Sequence, residues 1–175
     1  MADRKAVIFC SSHELEQKYI QAARKIVRAA CLAGYDIVSG GTVKGLMGVV
    51  CDEASSCGAG VIGAVPRFMK GLEHPALTEC VWTDTMSQRK EAMRQGTSLA
   101  IALPGGIGTL DELAETYCLA KMGLYEGRVV AFNMEGFYEP LKAQLRHFVD
   151  TGMLYEDSLK LIHFPETIEE LEALL

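Results

Sequence analysis

Two glycine-rich loops, an Arg-Lys pair and one carboxylate carry the spacing from which chemistry can be read in this sequence. The first loop is Gly40-Gly41-Thr42-Val43-Lys44-Gly45-Leu46-Met47-Gly48 and the second is Pro104-Gly105-Gly106-Ile107-Gly108-Thr109. Glycine accepts positive φ and puts no Cβ between backbone and ligand. Where such a loop enters a helix, the first N–H groups lack internal partners and carry partial positive charge, so a phosphate is a sensible ligand. Tight turns and close helix–sheet packing would account for one such loop; two on one predicted rim favour an anion site. Glu112 follows the second loop, and Thr109-Leu110-Asp111-Glu112 has the spacing of a capping box, with Thr109 as N-cap and Glu112 at N3. A capping carboxylate there would also stand beside any ligand on the loop, with Asp111 and Glu115 as competing acids. Arg89 and Lys90 lie in the helical stretch Met86–Met93, whose two methionines are expected to face the core. The basic pair is either a solvated helix face or a guanidinium fork aimed at a phosphate or carboxylate, and spacing alone leaves both open.

The familiar nucleotide fingerprints are missing. Neither loop is G-x-G-x-x-G, so no dinucleotide cofactor is indicated, and there is no G-x-x-x-x-G-K-[ST] or G-x-S-x-G. The four His residues are scattered without ligand spacing and the six Cys contain no C-x-x-C, so no metal site is expected. Net charge is −6, which argues against a nucleic-acid partner but leaves room for a small anion bound by backbone N–H groups. The start, Met1-Ala2-Asp3-Arg4-Lys5-Ala6-Val7-Ile8-Phe9, lacks a signal-peptide apolar region, and no run approaches a membrane span, so a reduced cytoplasmic protein with no membrane partner is expected.

The elements that must position these groups alternate. Apolar runs at Ala6–Cys10, Asp36–Ser39, Val61–Val65, Glu79–Thr83, Ser98–Leu103 and Val129–Asn133 read as strands. Helical periodicity covers about Glu14–Ala33, Leu46–Cys57, Thr85–Gln95, Leu110–Met122 and Phe137–Asp150, with a last helix over Ile168–Leu174. Thr85 with Gln88, and Thr167 with Glu170, predict capping boxes. Strand–helix alternation implies an α/β fold: one Rossmann-like domain over residues 1–175, a doubly wound parallel sheet with helices on both faces. Ligands in such folds bind beyond the carboxyl ends of the strands, where both glycine loops fall. Seventeen glycines in 175 residues is about one in ten against a usual ~7%, and these loops take up much of the surplus.

Pro104-Gly105-Gly106-Ile107-Gly108-Thr109-Leu110-Asp111-Glu112 resembles the P-G-G-x-G-T-x-x-E motif of the Lonely Guy (LOG) family, cytokinin riboside 5′-monophosphate phosphoribohydrolases often mislabelled as lysine decarboxylases. Gly40-Gly41 through Gly48 resembles the family's G-G-x-x-x-G-L-M-G, Met86 through Met93 its M-x-x-R-K-x-x-M, and Phe132–Tyr138 its strand–turn segment. The resemblance implies a hydrolase that cleaves the N-glycosidic bond of AMP or an N6-substituted AMP, releasing free base and ribose 5-phosphate, without cofactor or metal. It implies Arg89 and Glu112 as the catalytic pair, and substrate contacts from Gly105, Gly106, Ile107, Gly108, Thr109, Leu110, Asp111, Lys90, Gly41 and Glu73. It also implies a nucleotide monophosphate as partner and a homodimer or higher oligomer with sites near the subunit interface. Two positions depart from the pattern: Cys10 stands where the family usually has Gly before two serines, and Cys118 where plant members carry a substrate-lining Thr. The competing readings are a nucleotide or molybdenum-cofactor carrier of the same fold, which would use the glycine loops without the Arg–Glu pair, and a DNA-processing protein, against which the acidic balance speaks.

Overall fold

The computed structural model describes residues 4–175; residues 1–3, where the segment read for a signal peptide begins, lie outside the described residues. Among the described residues seven strands form one sheet: β1 (Arg4–Phe9), β2 (Tyr35–Ser39), β3 (Val61–Pro66), β4 (Glu79–Thr83), β5 (Leu99–Ala102), β6 (Arg128–Ala131) and β7 (Ile162–His163). Their order is β4-β3-β2-β1-β5-β6-β7, and every pairing is parallel. The helices are α1 (Gln17–Leu32), α2 (Gly45–Ser56), α3 (Met86–Arg94), α4 (Ile107–Lys121), α5 (Glu139–Asp150) and α6 (Ile168–Glu172). No described helix is long and apolar enough to cross a membrane.

A parallel sheet covered on both faces needs strands apolar on both sides, and β1 supplies one. Its Ile8 packs with Ile26 of α1, Leu46 of α2 and Leu171 of α6 on one face. Its Val7 and Phe9 pack with Met93 of α3, Leu113 of α4 and Leu145 of α5 on the other. Burying a side chain such as Phe9 contributes roughly 1.5–3 kcal/mol. β1 and β5 are neighbours, with Phe9 opposite Ala102, yet α1 follows the first onto one face and α4 follows the second onto the other. The strand order therefore reverses between β1 and β5, and a crevice opens beyond their carboxyl ends.

The Rossmann-like α/β expectation is met, with local corrections. The two-residue β7 is an addition to the expected strands, because so short a strand shows no periodicity. Two of the three predicted caps form: Thr85 Oγ1 accepts from Gln88 N–H at 3.2 Å, and Thr167 Oγ1 from Glu170 N–H at 3.2 Å. The third does not. α4 starts at Ile107 rather than Leu110, capped by Gly106 in extended conformation, so Thr109 lies inside the helix. A Cβ at Gly105 would overlap the Thr109 hydroxyl, so the glycine is what lets this threonine fold back under the loop. Glu112 is freed from the capping role. Met93 is buried as expected, but Met86, in the first turn of α3, is 44% exposed and faces a cleft instead.

Candidate active site

A cleft of about 330 Å³ opens at the β1/β5 switch, at the small end of the range for ligand sites. Cys10, Ser11, Ser12 and His13 line it after β1, Gly40, Thr42 and Lys44 after β2, and Gly106, Ile107, Gly108 and Thr109 after β5. Arg89 from α3 and Glu112 from α4 close its floor. The charged lining is thus Lys44, Arg89 and one carboxylate, a local excess of positive charge on a chain of net charge −6. The open N-terminal N–H groups of α4 add to it.

Arg89 is not a solvated cation. Its side chain is 9% exposed and meets Glu112, 10% exposed, with Nη1 3.3 Å from Oε1. Its Nε donates to the Ala64 carbonyl at 3.0 Å, and Nη2 approaches the Met47 sulfur at 3.8 Å. Burial pushes the Glu112 carboxyl up to about 7; the attraction of Arg89 opposes this, and the repulsion of Asp111 adds to it. Burial outweighs the guanidinium because the pair shares one long contact rather than a bidentate fork. Glu112 can therefore exchange a proton near neutrality, which suits a general acid or base. Burial, then the charge of Glu112, pushes the Cys10 thiol far above its ordinary value. It is a protonated wall of the cleft, not a nucleophile.

The other expected contacts divide. Gly106, Ile107, Gly108 and Thr109 line the cleft with Arg89 and Glu112. Gly105 sits behind them against Thr109. Gly41, at φ +69°, touches the Gly63 backbone, a packing role for which any Cβ is too large. Lys90 turns away to Asp111 at 2.9 Å and Glu115 at 2.7 Å. The hydrogen bonds it donates to Glu115 and Asp111 raise its pKa, so it remains charged. Leu110 and Cys118 lie on the exposed side of α4. Glu73 accepts from the Gly71 N–H at 2.5 Å, and hydrogen bonds from its own and the Gly71 backbone hold its carboxyl low. Among the described residues no group of three or more His, Cys, Asp or Glu is placed to hold a metal.

Sequence reasoning places Gly40 and Met47 in the first glycine loop but misses that, with the Ala64 carbonyl, they seat Arg89. A Cβ on Gly40 would overlap Arg89 Nη2 and come within 2.5 Å of the Met47 sulfur. The neighbouring Gly40-Gly41 pair is the available signal, but the residue it accommodates comes from a helix beyond β4. Gly40→Ala is expected to fold with little loss of melting temperature, since the clash falls on side-chain ends. It is also expected to displace the guanidinium from Glu112, with any activity of the cleft falling at least ~10²-fold, the order of one lost preorganised charge contact. Full activity in a folded Gly40→Ala protein would show that Arg89 need not sit where it does.

A family described as possible lysine decarboxylase matches residues 47–175. The chain is 32% identical over 171 residues to the rice (Oryza sativa subsp. japonica) cytokinin riboside 5′-monophosphate phosphoribohydrolase LOG, covering 96% of this chain and 71% of that one. It is 26% identical to the Mycobacterium tuberculosis cytokinin riboside 5′-monophosphate phosphoribohydrolase, over 96% and 91% of the two chains. Among solved structures it resembles the molybdenum cofactor carrier protein of Chlamydomonas reinhardtii, with TM-score 0.72, 17% identity, and 97% and 94% of the chains covered. It also resembles the molybdenum cofactor binding protein of Rippkaea orientalis, with TM-score 0.73, 18% identity, and 99% and 96% covered. At such identities the structural likeness speaks to the fold.

Proposed function

The chain belongs to the Lonely Guy family of its phosphoribohydrolase relatives, and from that premise we propose that it hydrolyses the N-glycosidic bond of AMP or an N6-substituted AMP. The observation that carries this reading is the buried Arg89–Glu112 contact at 3.3 Å on the floor of a cleft rimmed by an open helix N-terminus. In the proposed reaction the bond from C1′ to the base nitrogen breaks, the hydroxyl of water joins C1′, and the water proton leaves with the base. The phosphate rests on the N–H groups of Gly106–Thr109 and supplies binding energy remote from the reacting carbon. Glu112 as carboxylate faces the oxocarbenium-like ribose, stabilising its charge and orienting the water. Arg89 holds that carboxylate in place. Residues Gly105 and Gly41 shape the loops, while Leu110, Asp111, Lys90 and Glu73 support the site from outside the cleft.

Incubation with AMP and with an N6-prenylated AMP should release ribose 5-phosphate and free base. No release above buffer at micromolar enzyme would sink the proposal.

The carboxyl value of about 7 makes a second prediction. If the carboxylate is the working form, kcat/KM rises with pH through about 7 and levels above it. A profile that falls across the same interval would assign Glu112 the acid's role instead. The carrier reading predicts tight ligand binding without turnover, indifferent to Glu112→Gln.

A further inference from the structure

α3 packs over β3 and β4, and α4 over β5 and β6. β2 and β1 lie between those two pairs of strands, so the Arg89–Glu112 contact joins helices anchored on different halves of the sheet. Beside it runs a second set of ionic contacts between the same helices. Lys90 and Arg94 share one face of α3 at i,i+4 spacing, and Asp111 and Glu115 share one face of α4 in the same way. Lys90 Nζ lies 2.9 Å from Asp111 and 2.7 Å from Glu115, and Arg94 Nη2 donates to Glu115 at 2.9 Å. The charges alternate as a ladder, Asp111–Lys90–Glu115–Arg94. Burial pushes the Glu115 carboxyl up, but the hydrogen bonds from Lys90 and Arg94 outweigh it and hold the carboxyl low, so the ladder stays ionised.

Stability alone accounts poorly for this ladder. The Arg94 side chain is 9% exposed and that of Lys90 16%, and taking charges out of water offsets much of the attraction they gain. Arg94 Nη1 also lacks a hydrogen-bond partner among the described residues, a further cost of its burial. What the ladder does supply is spacing, because Lys90 follows Arg89 on α3 and Asp111 precedes Glu112 on α4. We infer that Lys90 and Arg94 are positioning residues, acting through Asp111 and Glu115 to hold α3 against α4 at the separation where Arg89 meets Glu112. This rests on the role proposed for Glu112, and it gives Lys90 a task other than the substrate contact that the resemblance implies. The ladder also reaches Glu112 through its charge. Burial raises the Glu112 carboxyl; Arg89 opposes this, Asp111 adds to it, and Lys90 and Arg94 both oppose it. The Cys10 thiol after β1 faces Glu112 uncharged, and His13 and Lys44 line the same cleft. The variants below leave those three groups in place.

NMR titration of protein labelled with carbon-13 at the glutamate carboxyls reads Glu112 directly, its resonance being the one absent from Glu112→Gln. The wild-type midpoint is expected at about 7. Lys90→Met should move it up by about half a unit, less than the 1–3 units of a direct ionic neighbour, and Lys90→Arg should bring it back. Asp111→Asn should move it down. Asp111 keeps 58% of its side chain exposed, so this variant gives a reading even if Lys90→Met fails to fold. In steady-state kinetics Lys90→Met should lose ~10²-fold in kcat with KM little changed, the cost of about 1 Å of misplacement. Arg94→Met with Glu115→Leu replaces an ion pair by apolar groups, which stability commonly tolerates; it should keep its melting temperature and still lose kcat. Midpoints that stay put in folded Lys90→Met and Asp111→Asn would overturn the inference. So would a Lys90→Met protein that keeps kcat and raises KM, which would return Lys90 to the substrate, or a folded Arg94→Met/Glu115→Leu protein with undiminished kcat. The titration needs no turnover, so an inactive wild type would sink the proposed reaction while the midpoints still decide on the ladder.

Discussion

Glu112→Gln is expected to abolish ribose 5-phosphate release from AMP, lowering kcat by at least ~10²–10³-fold, the usual effect of deleting one preorganised electrostatic group. Glutamine keeps the volume of the side chain and can still accept from Arg89 Nη1, so the cleft should keep its shape and KM should move little. What it loses is the charge facing the sugar and the proton exchange near pH 7. The same variant separates catalysis from stability. Burial raises the folded carboxyl from 4.5 to about 7. The folded state therefore binds a proton between those values that the unfolded chain has released. Its contribution to stability is complete below about 4.5 and is lost as pH rises through 7. The melting temperature of Glu112→Gln should accordingly gain on the wild type between pH 5 and pH 8. Retention of wild-type kcat would remove Glu112 from the chemistry, whatever its effect on melting.

Arg89→Ala should be as damaging to activity and more damaging to the fold. The guanidinium serves Glu112, the Ala64 carbonyl and the Met47 sulfur at once. Deleting it leaves a buried carboxyl without its countercharge, a change that in buried pairs costs about 3–5 kcal/mol. Glu112 can avoid part of that cost by staying protonated. Its pKa then moves further up, so residual activity should appear only at higher pH, with kcat/KM at pH 7 down by at least ~10³-fold. Arg89→Lys should recover stability but little activity. One ammonium cannot reach three acceptors arranged for a planar fork, and it retains no Nε to hold Ala64. If Arg89→Lys worked as well as the wild type, charge alone would suffice and the fork geometry would be incidental. Steady-state kinetics from pH 5 to 9 alongside thermal melts check both variants.

How far the sequence reaches depends on how local each cause is. Strand–helix alternation, the two Thr caps and the glycine loops at strand ends are short-range signals, and each is legible. β7 is too short to carry a period. The start of α4 is misread because Thr109-Leu110-Asp111-Glu112 fits a capping box, while the extended Gly106 that actually caps the helix gives no comparable side-chain signal. The burial of Arg89 is illegible for a different reason. It depends on Gly40 leaving space from β2's end, on Met47 from α2 and on a β3 carbonyl. No spacing within Met86–Met93 encodes contacts from three other elements. Periodicity assigns Met86 to the core, and the fold instead turns it to the cleft, where hydrophobic character serves the mouth of the site rather than the interior.

The most direct measurement is a crystal structure of Glu112→Gln soaked with AMP, which the slowed variant should hold uncleaved. The account predicts phosphate on the N–H groups of Gly106–Thr109, with the ribose C1′ facing residue 112 and Arg89 still bonded to Ala64. AMP bound with its phosphate away from that loop, or with its sugar turned from residue 112, would contradict it.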